Sequence, residues 1–306
     1  MRAELHADGG AGAASDEFFR SAEFLAAEGT THTLEIGPLL LPLIVREVPG
    51  EDALTDAISP YGYPGATVAP GAEPVDPADV DWSATGLVSV FVRDRIGEPH
   101  AFRGVTPRSQ VQVHDPSRAR AVRSRLTEQI RRNERAGWSV AVSAGPEAPP
   151  ADRARFLGLY TETMRRTRAA ERYFFDERYF AAILAQPYTW LLHASSGGAE
   201  AGAGAIVVRS DGLLHYFLGG TADAALDASP FKNVVAAMLD LADGAALPLS
   251  LGGGVEPGDG LEAFKRGFAN EELPFVTHEL VCDPAAYERL AAGRDAGGFF
   301  PAYRAP

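Results

Sequence analysis

Gly252-Gly253-Gly254-Val255-Glu256-Pro257-Gly258-Asp259-Gly260-Leu261-Glu262-Ala263-Phe264-Lys265-Arg266-Gly267-Phe268 is the stretch from which the rest of this chain is read. It holds one of only two lysines: the 28 basic residues comprise 26 arginines and the pair Lys232 and Lys265, each preceded by phenylalanine. A solvating or helix-pairing charge is served as well by arginine, whereas a compact, three-donor ammonium whose pKa moves with its surroundings is not. Lys265, and after it Lys232, are therefore the candidates for work a guanidinium cannot do; the competing reading is chance survival of two surface lysines. The glycine run reads as the end of a strand, and Gly260 to Phe268 as a short helix.

Outward from there the periodicity lays out the second half of the chain. A helix runs from Pro150 to about Ala170 and a short one starts at Asp176. Strands follow at Tyr188 to Ala194, Ala203 to Arg209 and Leu213 to Leu218. A helix starts at Ser229 or Pro230, Leu247 to Leu251 is a strand leading into the glycines, and Phe275 to Cys282 is a last strand. The first half reads as a helix up to Glu28, a hairpin of Thr33 to Ile36 and Leu41 to Val48 about Gly37-Pro38, strands at 86–93 and 109–114, a helix from Asp115 to about Ala136 and a strand at 138–143. Gly145-Pro146-Glu147-Ala148-Pro149-Pro150 is the clearest break, so two domains are expected, 1–145 and 146–306. The fold class is α+β (α/β), and the element order of the second half is that of a GNAT-type acyltransferase. The first half looks like a degenerate copy, which makes two tandem domains, each a mixed sheet flanked by helices.

Bulk properties narrow the chemistry. A hydrophobic content of 46% with 23% charged residues is that of a globular protein. The longest apolar run, 37–45, is broken by Pro38 and Pro42, so no membrane span is expected, and without a basic leader and apolar stretch at the start a cytoplasmic protein is expected. Cys282 is alone and the seven histidines are scattered singly, which argues against a disulfide framework and a zinc site. The net charge of −13 disfavours nucleic acid, but residues 115–178 carry 14 Arg against 9 acidic residues, the one segment suited to a polyanion.

Several pieces together resemble the Fem family of peptidyltransferases, which take an aminoacyl group from aminoacyl-tRNA and consist of two GNAT-like domains. They are the Ser59-Pro60-Tyr61-Gly62-Tyr63 loop, the helix and strand ending Ile130-Arg131-Arg132-Asn133-Glu134-Arg135-Ala136-Gly137-Trp138-Ser139-Val140, and Leu159-Tyr160-Thr161-Glu162-Thr163-Met164-Arg165-Arg166. His215-Tyr216-Phe217-Leu218-Gly219-Gly220 and the Phe264-Lys265 element complete the set. The resemblance implies that Lys265 lies at the donor channel beside Phe264, with no cofactor beyond the tRNA donor and an amine of a cell-wall precursor, peptide or natural-product intermediate as acceptor. The long coiled-coil insertion of larger members is absent.

The transfer needs a neutral amine, stabilisation of a tetrahedral oxyanion and a proton for the departing ribose oxygen. Protonated Lys265 is suited to the second and third. Asp259 could orient or deprotonate the amine, or simply cap the helix starting at Gly260. Arg165, Arg168 and Arg172, at spacings of three and four, would share a helix face, and with Arg166 and Tyr173 would receive an anion; a salt-bridged surface helix is the alternative. Tyr61 and Tyr63 would line the acceptor pocket from the first domain. His215 is a candidate base on a strand, or a core histidine. Lys232, at the start of a helix, would meet a tRNA phosphate or remain solvated. The glycine-rich pyrophosphate signature of coenzyme A-dependent relatives is missing from 220–230, which favours aminoacyl-tRNA; the alternative is an acyl thioester on coenzyme A or a carrier protein.

Overall fold

A computed structural model of the chain describes residues 1–97, 100–197, 202–254, 256 and 258–305. The described residues form thirteen strands: β1 (Ala3–His6), β2 (His32–Ile36), β3 (Leu39–Val48), β4 (Glu51–Ile58), β5 (Thr67–Val68), β6 (Leu87–Arg93), β7 (Thr106–His114), β8 (Trp138–Ala144), β9 (Thr189–Ser196), β10 (Ala203–Ser210), β11 (Leu213–Thr221), β12 (Leu249–Gly252) and β13 (Glu271–Val281). The helices are α1 (Ala22–Ala27), α2 (Ser124–Arg135), α3 (Pro150–Arg166), α4 (Glu177–Leu184), α5 (Phe231–Ala245), α6 (Gly260–Arg266) and α7 (Pro284–Ala291).

The backbone divides into two compact units, residues 1–109 with 274–306, and residues 110–273. The expected boundary at 145/146 lies inside the second unit. β8 pairs along its whole length with β9, from Trp138 opposite Ser196 to Ala144 opposite Trp190, so the proline-rich break at 145–150 is a connection within one sheet. The chain passes from the first unit to the second within β7 and back within β13.

In the first unit, β1, β2, β3 and β4 pair antiparallel in succession, β4 and β6 parallel, and β6 and β13 antiparallel. The hairpin expected about Gly37-Pro38 is present. β3 tolerates Pro42 because β2 covers residues 39–43 on one side while β4 takes over on the other only from Ile44; the missing N–H falls where no second partner needs it. β4, which the sequence did not announce, alternates poorly: Asp52, Ala53 and Thr55 dilute its apolar face. Leu34, Ile36, Leu39, Leu41, Leu43, Val90, Val92 and Phe102 make the core.

In the second unit the order is β7, β12, β11, β10, β9, β8, with β11 and β12 parallel and the other neighbours antiparallel. Leu192, Ala194, Ala203, Ala205 and Val207 turn one face of the sheet to α5 through Val234, Val235, Met238 and Leu239, and Leu126 and Ile130 of α2 join them. On the opposite face lies α3, whose Phe156 ring approaches that of His193. α2 starts nine residues later than expected. Asp115 instead closes a turn, its carboxylate accepting from the Ser117 N–H at 2.8 Å while its carbonyl accepts from Asn270, so its capping capacity is used before the helix begins. Asn133 on α2 donates to Asn233 on α5 at 2.8 Å, and Asn233 donates back to the Ile130 carbonyl at 3.2 Å, which ties the two helices in register.

α3 lies close over β11. A Cβ on Gly220 would stand 2.4 Å from the Leu159 carbonyl oxygen and 2.6 Å from the Tyr160 nitrogen, both backbone atoms that cannot yield without moving the helix. Gly220→Ala should therefore destabilise the chain by about 1–3 kcal/mol, as overpacking does. A chemical-denaturation midpoint that stays at the wild-type value would show that α3 is not held against the strand.

Candidate active site

β11 and β12 are parallel neighbours only at Leu214 opposite Leu249 and His215 opposite Ser250. β11 then runs on to Thr221, bonded to β10 along its other edge, while β12 ends at Gly252 with a positive φ of 75°. Beyond residues 215 and 250 no register joins the two strands. A sheet that opens between two parallel strands offers backbone donors and acceptors to an extended ligand.

Lys265 is placed at this opening. It sits in the last turn of α6, 9% exposed, and its Nζ donates to the Gly253 carbonyl at 2.7 Å, one residue past the end of β12. The same ammonium lies 5.5 Å from the centroid of the Tyr216 ring on β11. One side chain thus links β11 to the loop that leaves β12. Three N–H bonds belong to an ammonium, and the Gly253 carbonyl takes one of them. Burial lowers its pKa from 10.5 to about 8, against the pull of the Asp259 carboxylate, which acts the other way. Lys265 is thus charged at neutral pH and able to lose its proton within about a unit above it.

α6 holds this position by its cap. Asp259 Oδ1 accepts the Glu262 N–H at 2.7 Å and Oδ2 accepts the Glu256 N–H at 3.1 Å; Glu262 in turn accepts the Gly258 N–H at 2.7 Å and pairs with Arg266. A Cβ on Gly254 would stand 2.4 Å from Asp259 Oδ1, so the glycine run lets the loop close against the cap. Asp259 thus orients α6 and, through its charge, favours the protonated form of Lys265. Val255 and Pro257 of this stretch lie outside the described residues. Phe264 belongs to an aromatic wall, with its ring centroid 5.3 Å from Phe268 and 6.4 Å from Phe231, which is itself 5.6 Å from Tyr216.

The structure brings Lys265, Asp259 and Phe264 together; the other expected site residues it places elsewhere. His215 is buried on β11, with Nε2 facing the Ser210 carbonyl at 3.2 Å, and burial lowers its pKa to about 4. It is neutral at physiological pH and sits in the sheet interior, and alternation along the strand turns its neighbour Tyr216 towards Lys265 instead. Arg165, Arg168 and Arg172 do not share a helix face. α3 ends at Arg166, Arg168 takes the left-handed position after the cap with φ 52°, and Arg172 sits in a separate 3-10 turn, Glu171–Tyr173. Arg166 donates to the Thr221 carbonyl at 3.0 Å and pairs with Asp223, tying α3 to the end of β11. Arg165 is exposed. Arg172 stacks on Tyr173, its guanidinium carbon 4.9 Å from the ring centroid. Lys232, the second residue of α5, is half-buried, and burial with nearby Arg125 lowers its pKa.

Tyr61 and Tyr63 belong to the first unit. The Tyr61 N–H is accepted by Glu28 at 3.0 Å, and the Tyr63 ring packs edge-on against Phe19 and Phe275 at 5.7 and 5.2 Å. Burial pushes the Tyr63 hydroxyl up in pKa. Tyr63 is a packed residue of a turn. Among the described residues no group of three or more His, Cys, Asp or Glu could hold a metal ion, and no helix is long and apolar enough to cross a membrane.

Comparison with known proteins agrees with this architecture. Residues 120–266, all within the second unit, match the family model described as an acetyltransferase (GNAT) domain. A sequence comparison with curated proteins gave no match. Among solved structures, L-PGS from Bacillus licheniformis superposes with a TM-score of 0.61 at 12% identity, covering 86% of this chain and 87% of that one. The C-terminal domain of a candidate lysylphosphatidylglycerol synthetase from Agrobacterium fabrum gives 0.61 at 16%, covering 89% of each chain. FemX gives 0.58 at 12%, covering 84% of this chain and 89% of that one. With Lys265 placed on a short helix beside two diverging parallel strands, residues 120–266 match a GNAT acetyltransferase domain, and the chain has the fold of these solved structures.

Proposed function

We propose that this chain is an acyltransferase that moves an aminoacyl group from aminoacyl-tRNA to the amine of a second substrate. The observation that carries the proposal is the buried ammonium of Lys265, held by the Gly253 carbonyl against Tyr216 where β11 and β12 part. The likeness of the fold to FemX and L-PGS supports an aminoacyl donor over other acyl donors.

In the reaction the acceptor amine, neutral, attacks the ester carbonyl carbon. A C–N bond forms and the carbonyl oxygen takes the negative charge. The Lys265 N–H bonds not used on Gly253 are the donors for that oxyanion, in a setting where burial makes each donor worth more than in water. Collapse breaks the C–O bond to the ribose, and the departing oxygen takes a proton, which Lys265, with a pKa of about 8, can supply and regain from the attacking nitrogen, which carries a positive charge and an extra proton once the C–N bond has formed. Arginine would supply charge without a transferable proton. Asp259 acts as a positioning residue through the α6 cap. A thioester donor is the second reading, favoured by the match to a GNAT acetyltransferase model.

Purified protein offered radiolabelled aminoacyl-tRNA and a panel of amines should transfer label to an amine, and ribonuclease should abolish the transfer. Label that still moves after ribonuclease, or from an acyl thioester alone, would put the thioester reading first. Lys265→Arg should lower turnover of the folded protein by about a hundredfold or more; near-normal turnover would remove Lys265 from the chemistry.

A stability measurement tests the same residue independently of substrate. The unfolded chain keeps the Lys265 proton up to about pH 10.5, the folded chain only to about 8, so stability rises with pH across that window and the burden is fully present below it. Holding the ammonium there costs on the order of 3 kcal/mol at neutral pH. Lys265→Met, which keeps the volume and leaves the half-exposed Gly253 carbonyl to water, should raise the unfolding free energy at pH 7 and lose most of that advantage by pH 10. A Lys265→Met chain less stable than wild type at pH 7 would mean the lysine is there for structure.

A further inference from the structure

β8 is the outermost strand of the second unit, and among the described residues it pairs with β9 alone. Its register with β9 is unbroken over seven residues, with no bulge to twist the strand away. The other side of β8 is therefore a row of backbone N–H and C=O groups open to pairing. Proteins blunt such edges with charges, proline, bulges or brevity. The outer strand of the first unit, β1, is four residues long and carries Glu4 and His6. β8, Trp138-Ser139-Val140-Ala141-Val142-Ser143-Ala144, has no charge and no proline, and Ser139, Ala141 and Val142 are exposed, Val142 to 45%.

The strand also reads the same in both directions about its centre. Ser139-Val140-Ala141-Val142-Ser143 is a palindrome on Ala141. An antiparallel pair of two identical strands, related by a two-fold axis through that residue, sets Ala141 against Ala141, Val140 against Val142 and Ser139 against Ser143. Successive side chains point to opposite faces. Valine thus meets valine on the face that already packs against the α2–α5 side of the sheet, serine meets serine on the other, and Trp138 meets the small Ala144. Such cross-strand pairs are the unit of sheet stabilisation. A two-fold interface requires a patch complementary to itself. In a chain with net charge −13, this is a seven-residue edge on which two copies meet without opposing like charges.

We propose that β8 is the seam of a homodimer, two copies pairing antiparallel through Ala141. The partner is a second copy of this chain rather than a foreign strand, because the matching is of the strand with itself. The seam lies three strands from β11, about 14 Å at the usual strand spacing, so it leaves the opening beside Lys265 uncovered.

Sedimentation equilibrium of the full chain over a concentration series should show a reversible doubling of the 32.5 kDa mass. Ala141→Glu sets two carboxylates directly opposite each other and should weaken the dimer about fivefold or more, and mixing it with Ala141→Lys should restore association as a heterodimer. Ala141→Cys should form a covalent dimer on mild oxidation, since paired Cα atoms lie about 4.5–5.5 Å apart. Val142→Cys should not, because its own copy lies two residues off register, beyond the span of about 7 Å that a disulfide bridges. A chain that stays monomeric at every concentration, a dimer indifferent to Ala141→Glu, or cross-linking at 142 as efficient as at 141 would each overturn the proposal.

Discussion

The contact on which the site depends is one hydrogen bond between a buried ammonium and a backbone carbonyl. Lys265 Nζ reaches the Gly253 oxygen across the mouth of the opening between β11 and β12, and the Tyr216 ring lies on its other side. Burial of a charge is unfavourable unless the charge is paired or hydrogen-bonded. Here the hydrogen bond, the Tyr216 ring face and the more distant Asp259 charge compensate only in part, which is why the pKa falls. A fully compensated lysine would hold its proton too firmly to pass it on, and an uncompensated one would be neutral at pH 7 and offer no charge. The site lies between these limits because its single strong partner is a carbonyl and its carboxylate is occupied as a helix cap.

That occupation shows how local structure sets the chemistry. Asp259 accepts two backbone N–H groups, and Glu262 accepts one and pairs with Arg266, so both acids nearest the lysine in sequence are spent on ordering α6 and its entry loop. A seven-residue helix has little stability of its own. Capping at one end and the Phe264 and Phe268 anchors at the other hold it against the sheet, with both carboxylates turned to backbone N–H groups and Arg266.

Much of this was legible in the sequence, where the physical signal was local. Asp259 announced a cap and Asp176 the start of α4, the hairpin about Gly37-Pro38 and strands β9 to β11 followed from periodicity, and the scarcity of lysine pointed to Lys265. What failed was set by tertiary context. The arginines at 165, 168 and 172 have helical spacing, but α3 stops at 166 in a left-handed turn, and no sequence signal near them demanded the stop. The proline-rich segment at 145–150 looked like a boundary because boundaries and tight connections use the same residues; only the pairing of β8 with β9 tells them apart. His215 was singled out where Tyr216 faces the lysine, a one-residue difference that alternation on a strand converts into opposite faces of the sheet. His215 is opposite Val208 and Tyr216 opposite Val207, next to a bulge, and which valine faces α5 is decided by packing.

The arginine-rich composition finally bears on why one lysine persists at this place. A guanidinium at 265 would bring five donors in a plane to a site that offers one carbonyl and one ring face, and its longer, planar head would have to enter the space between Gly253 and Tyr216. Its other donors would be buried without partners, which carries a desolvation penalty each, and its proton would be unavailable at any physiological pH. Elsewhere in the chain arginine is favoured for the same geometry: Arg166 spans a carbonyl and a carboxylate at the end of β11, and Arg266 spans two carboxylates beside the site. The two cations that follow one another in α6 thus divide the labour, the arginine fixing the helix outward to Glu262 and Glu272 and the lysine turned inward to the opening.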